Sequence, residues 1–199
     1  MIRTGVIWAT LIAALAVPLI AAAGSPYLAW RDPTYILAGF AGILSLGLLL
    51  LQPLLAGRYL PGLSAVISRH IHRWIGLTLV LAIVVHVAGL WLTSPPDVVD
   101  ALLFVSPTPF SAWGVIAMWA AFGAALLGVF RKRLRQRFRL WRLSHTALAG
   151  VTIVGSLVHA MLIEGTMEIV TKTALCALVL LASASTLAKL KVWDIRRRP

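Results

Sequence analysis

Apolar residues in this 199-residue chain gather into six long runs, at 6–23, 34–55, 70–93, 111–130, 141–163 and 169–188. Each run is close to the roughly 20 residues that a helix needs to cross a hydrocarbon layer about 30 Å thick. The breaks between them carry turn residues: Gly24-Ser25-Pro26, Pro61-Gly62, Ser94-Pro95-Pro96 and Ser106-Pro107-Thr108-Pro109. Several runs contain Pro or Gly, which membrane helices tolerate where neighbouring helices satisfy the backbone. The pattern predicts an all-α, polytopic membrane protein: one transmembrane domain over 1–199, a six-helix bundle with no room for a soluble domain. The first run has a second reading as a signal peptide, with Arg3, an apolar core and Ala21-Ala22-Ala23. The start at Met1 favours a retained helix.

Composition sharpens this picture. Hydrophobic residues make up 60% of the chain and mean hydropathy is +0.94, more apolar surface than a soluble domain of this size can bury. The single cysteine, Cys176, excludes an intramolecular disulfide framework, a Cys-rich zinc site and a Cys-ligated iron–sulfur cluster. A formal charge of +12 suggests nucleic acid until the basic residues are placed. All but two of the 18 Lys and Arg fall at the N-terminus, in the second and fourth connections and in the C-terminal tail. The alternate connections hold only Arg31 and Lys172, with Asp32, Asp97, Asp100, Glu164 and Glu168. The positive-inside rule then puts both termini in the cytoplasm of a multi-pass protein of a bacterial inner membrane. The partner is a lipid bilayer, and no nucleic acid is implied. Most of the eight tryptophans (Trp8, Trp30, Trp74, Trp91, Trp113, Trp141, Trp193) lie near expected interfaces, whereas Trp119 sits deeper and reads as core packing.

Four of the five histidines carry the candidate chemistry. His72 and His86 are 14 residues apart in the third run, and His145 and His159 are 14 apart in the fifth. Fourteen helical steps return a side chain to within about 40° of its starting face, about 21 Å further along. Both runs cross in the same direction, so His72 matches His145 in depth near the cytoplasm, and His86 matches His159 toward the outside. Two sites result, each with one histidine from each helix, as two haems stacked across a membrane require. His70 lies 16 steps from His86, about 160° around, and is left out. Between the ligands the inward face passes Ala149, Thr152 and Ser156 from His145, all small, and Gly76 and Leu79 or Val80 from His72. Small side chains leave room for a flat macrocycle, although close helix packing uses the same pattern. Ligation through one ring nitrogen, with the other N–H given to a carbonyl or hydroxyl, accounts for four polar groups in an apolar setting. Arg69, Arg73, Arg139 and Arg142 lie within a turn of the cytoplasmic histidines; Arg73 and Arg142 are the candidates for haem propionates, with lipid phosphates as the alternative. The basic run from Arg131 to Arg139 reads as a lipid-anchoring loop or a docking surface for an electron donor. A proton-coupled or metal-ion transporter is the competing function, but it wants carboxylates at mid-membrane and none lies there.

Two stretches carry a resemblance. Arg69-His70-Ile71-His72-Arg73-Trp74-Ile75-Gly76 with His86, and Trp141-Arg142-Leu143-Ser144-His145 with His159, resemble the ferric reductase-like transmembrane domain family over about 34–188. That family includes eukaryotic ferric reductases, NADPH oxidases and the stand-alone haem-binding membrane subunit of the periplasmic methionine sulfoxide reductase system. The resemblance implies a six-helix bundle with haems between helices 3 and 5. It also implies bis-histidine ligation of two b-type haems by His72, His86, His145 and His159. It implies transmembrane electron transfer from a separate electron-donor reductase or quinol toward an outer-side acceptor protein or ferric iron. After Ala188 only a short basic tail remains, without a Gly-rich dinucleotide motif, so flavin binding has no supporting motif. The short form is similar to the methionine sulfoxide reductase subunit, whereas the 14-residue spacing in the fifth run is more like the ferric reductases.

Overall fold

The computed structural model describes residues 2–134 and 137–190. The tail beyond Leu190, with Trp193, and Arg135 and Gln136 of the basic run lie outside the described residues. Among the described residues every regular element is helical: α1 (Ile2–Ala23), α2 (Pro33–Ala56), α3 (Ala65–Thr93), α4 (Pro95–Leu102), α5 (Pro109–Val129), α6 (Phe138–Leu162) and α7 (Ile169–Leu190), with single 3-10 turns at Pro26–Leu28 and Phe130–Lys132. Six of these helices are long and apolar enough to span a membrane. The protein is a multi-pass helical membrane bundle.

Local chemistry sets the boundaries. The Asp32 carboxylate accepts from Thr34 N at 2.7 Å, with Pro33 at the first helical position, where no N–H is needed. These bonds also hold the Asp32 carboxyl below its ordinary pKa. Ser64 caps α3 through Ile67 N, so this helix begins at Ala65 instead of near 70 and takes in Arg69 and His70. Glu168 caps α7 by accepting from Val170 N and Thr171 N at 2.7 and 2.8 Å. The extra element is α4. Ser94-Pro95-Pro96 suggests a break in the sequence, but prolines at N1 and N2 are compatible with a short helix.

The closely packed helix pairs are α2 with α3 and α5 with α6, forming two antiparallel hairpins, and α7 lies along α2. Leu11 of α1, Leu46, Leu49 and Leu50 of α2, Leu79 and Ala82 of α3, and Leu175 and Val179 of α7 form one buried core. The first apolar run thus packs into the bundle through Leu11. Polar contacts tie α7 to the end of α2: Thr186 Oγ1 donates to Pro53 O at 2.9 Å, and Lys189 Nζ donates to Gly57 O at 2.7 Å. Trp119 does not pack in the core. It is 59% exposed, edge-on to Phe122, among the apolar side chains facing outward as lipid-contacting surfaces do.

Candidate functional site

The two hairpins face each other through their histidines. The ring centres of His72 and His145 are 6.5 Å apart, and those of His86 and His159 are 6.4 Å apart. The ring planes within each pair are crossed, at 68° and 80°. All four imidazoles are half-buried. The helices that carry them, α3 and α6, are not among the closely packed pairs.

Each ring is anchored through Nδ1 to a backbone carbonyl of its own hairpin partner. On α2, Gln52 O holds His72 at 3.3 Å and Ala38 O holds His86 at 2.7 Å. On α5, Ala124 O holds His145 at 3.1 Å and Phe110 O holds His159 at 2.8 Å. An acceptor at Nδ1 places the proton there and leaves Nε2 with its lone pair free. Metal-bound histidines are oriented in the same way, by giving their other ring N–H to a carbonyl or carboxylate. Two glycines shape the His86–His159 pair, at the acid end of the bundle, where Asp97, Glu164 and Glu168 lie; His72 and His145 are at the basic end. A Cβ on Gly42 would lie 3.0 Å from His86 Nδ1, and one on Gly114 would lie 2.7 Å from His159 Nδ1 and Cε1. At Gly114 a side chain would force the ring or the backbone to shift, and at Gly42 the ring would have to give by a few tenths of an ångström.

The two hairpins are structural repeats without being sequence repeats. Ala38, Gly42 and Gln52 recur 72 positions later as Phe110, Gly114 and Ala124, and His72 and His86 recur 73 later as His145 and His159. The anchoring residues are absent from the sequence reading because a carbonyl acceptor leaves no side-chain signature. Gln52 was the one visible signal, a polar residue inside an apolar run. Its side-chain amide also donates to His72 O at 3.3 Å.

The remaining candidates sit around this frame. His70 is exposed and accepts from Trp74 Nε1 at 2.9 Å, away from both pairs. Arg73 is exposed, with its guanidinium 3.4 Å from His70 Nδ1. Arg69 and Arg139 are also exposed, and Arg142 is half-buried on α6, three residues before His145. Trp141 lies stacked on His145.

The chemistry of the donor set can be tested against a metal. A transition-metal ion lies about 2.0 Å from an imidazole nitrogen, and the nitrogen about 1.1 Å from its ring centre, so a linear pair separates ring centres by about 6.2 Å, within about 0.3 Å of the distances here. Both pairs have that spacing. Among the described residues no three His, Cys, Asp or Glu side chains come together. A bare ion such as zinc takes three or four protein ligands, whereas a haem iron takes four from its macrocycle and needs only two. Paired histidines therefore fit haem better than a naked cation.

Comparison with known families agrees in kind. Residues 41–156, more than half of the chain, match the model of the ferric reductase like transmembrane component family. The chain belongs to that family. The match takes in His72, His86 and His145 and ends three residues before His159. No curated protein and no solved structure matches the chain. At the coarse level, family membership assigns the bundle to transmembrane electron transfer.

Proposed function

We propose that this ferric reductase-like protein is a bacterial inner-membrane cytochrome with two b-type haems. His72 and His145 would hold the haem nearer a cytoplasmic reductase or quinol, and His86 and His159 would hold the haem nearer an outer-side acceptor protein or ferric iron. The observation that carries the reading is the matched geometry of two histidine pairs, at 6.5 and 6.4 Å, with all four Nδ1 atoms on carbonyls. Bound there, haem would supply reversible one-electron chemistry, and two histidines given to each iron would favour electron transfer over oxygen binding.

The chain's residues do the rest. The carbonyls of Gln52, Ala38, Ala124 and Phe110 hold each Nδ1–H, which fixes the ring and makes Nε2 a stronger donor. Gly42 and Gly114 let the acid-end rings reach their carbonyls. Ligands 14 residues apart on one helix stand about 21 Å apart along its axis, so the two sites divide the crossing into two shorter steps. Orientation follows from charge. Arg58, Arg69, Arg131 and Lys132 cluster at the His72–His145 end, which the positive-inside rule places in the cytoplasm with both termini. A metal-ion transporter fits less well, because the Glu168 carboxylate is spent on capping α7 and each histidine group holds only two ligands.

The test is transfer across oriented vesicles, with a reductase or quinol on the basic side and an impermeant ferric chelate on the other. His86→Ala is expected to be reduced from the basic side yet fail to reduce the chelate. Undiminished chelate reduction by that variant contradicts the two-haem relay.

A further inference from the structure

The two histidine pairs are held by different means. At the acid end the anchoring bonds are short, 2.7 and 2.8 Å, and glycines cradle both rings. At the basic end the bonds are longer, 3.3 and 3.1 Å, and no glycine closes on either ring. The 3.1 Å bond of His145 is an ordinary one, but one bond at Nδ1 with no glycine closing on the ring leaves rotation about the axis through Nε2 less confined than at the other pair. Side chains make up the difference. The Gln52 amide donates to the backbone carbonyl of His72 and so steadies the helix that carries it. Trp141 lies against the His145 ring itself, with ring centres 5.4 Å apart and planes only 10° from parallel.

Trp141 is itself fixed. Its indole N–H donates to Leu127 O on α5 at 2.7 Å. Phe138 stacks on it at 5.6 Å and 24°, and the Arg131 guanidinium lies 5.2 Å over its ring. Offset stacking of this kind adds orientation as well as area. Among the described residues, His145 is the one paired histidine with a parallel aromatic neighbour: Phe110 meets His159 edge-on, at 68°, and the other aromatic contacts of the four are within the pairs.

We propose that Trp141 is a positioning residue of the basic-end site, where its indole sets the plane of the His145 imidazole and so the crossed angle between the two axial ligands. This rests on the bis-histidine haem reading. The angle matters because the imidazole π systems split the iron d orbitals. Parallel planes reinforce the splitting and give a rhombic low-spin ferric signal, whereas crossed planes cancel it and give one dominant low-field resonance. Axial-ligand geometry is one of the protein's levers on haem.

The experiment is electron paramagnetic resonance of the oxidised full-length protein with haem content measured beside it. A His86→Ala background isolates the basic-end haem, and a His72→Ala background isolates the acid-end haem. Trp141→Leu is expected to move the low-field resonance in the first background by more than its linewidth and to leave the second unchanged. Trp141→Phe, which keeps a stacking ring, is expected to stay near the parent signal. The inference is overturned if Trp141→Leu leaves the basic-end signal in place, shifts both haems alike, or is matched by Trp141→Phe. A parent protein without haem overturns the bis-histidine reading itself, whereas two haems with an unmoved signal overturn the role of Trp141 alone.

Discussion

Replacing Gly114 by alanine tests how closely the acid-end site is fitted. The new Cβ would lie 2.7 Å from His159 Nδ1 and Cε1, against 3.4 Å for ordinary contact, so the ring or the α5–α6 hairpin must give by about 0.7 Å. Metal–nitrogen distances tolerate only about 0.2 Å. The displacement also breaks the 2.8 Å bond from His159 to Phe110 O. Overpacking costs about 1–3 kcal/mol and the lost hydrogen bond about 1 kcal/mol more. At 1.4 kcal/mol per decade, retention of the acid-end haem weakens on the order of 10²-fold. A pyridine haemochrome assay on purified protein should show haem per chain falling from two toward one, with the basic-end haem retained. Gly42→Ala, at 3.0 Å from His86 Nδ1, should act in the same direction and more mildly. Gly150→Ala, whose Cβ meets nothing within 4 Å, should change neither site. Full haem content and an unchanged spectrum in Gly114→Ala would refute the fitted-cradle argument.

Further outcomes follow from other parts of the structure. His70→Ala should keep both haems, since His70 is exposed and paired with Trp74; a loss like that in His72→Ala would show the helical phase to be wrong. Lys172 is buried, and its ammonium donates to Ile163 O at 2.7 Å, one turn beyond His159. Lys172→Met removes that cation and should lower the midpoint potential of the acid-end haem by on the order of tens of millivolts, leaving the other in place; equal shifts in potentiometric titration would refute this. Glu168 gives a pH dependence. Its two backbone N–H bonds hold the carboxyl below its ordinary 4.5, so its contribution is present above that value and lost as pH falls through the lower folded value. Thermal melts of wild type and Glu168→Gln should differ at neutral pH and converge in acid; a gap that stays constant with pH would count against the cap.

Much of this protein is written in its side chains. The six apolar runs needed only their length, because a bilayer imposes one on every crossing helix. The histidine frame followed from helical phase: the spacing from His72 to His86 equals that from His145 to His159, and the structure brings these rings together in two crossed pairs. What the sequence did not disclose was carried by the backbone. The carbonyls that hold the rings belong to Ala38, Gln52, Phe110 and Ala124, and three of those four have apolar side chains with nothing to mark them. Gly42 and Gly114 read as ordinary small residues of membrane helices until the rings are seen against them. Trp119 erred for a related reason: depth along a membrane helix says nothing about which face a residue occupies.

The central claim is that each histidine pair is a haem site, and haem stoichiometry tests it most directly. Protein purified in mild detergent from haem-replete cells should carry two b-type haems per chain by pyridine haemochrome. Dithionite reduction should give the sharp bands of six-coordinate, low-spin iron. A ratio near one would mean that one pair is structural only, and a ratio near zero, with no such bands, would contradict the account.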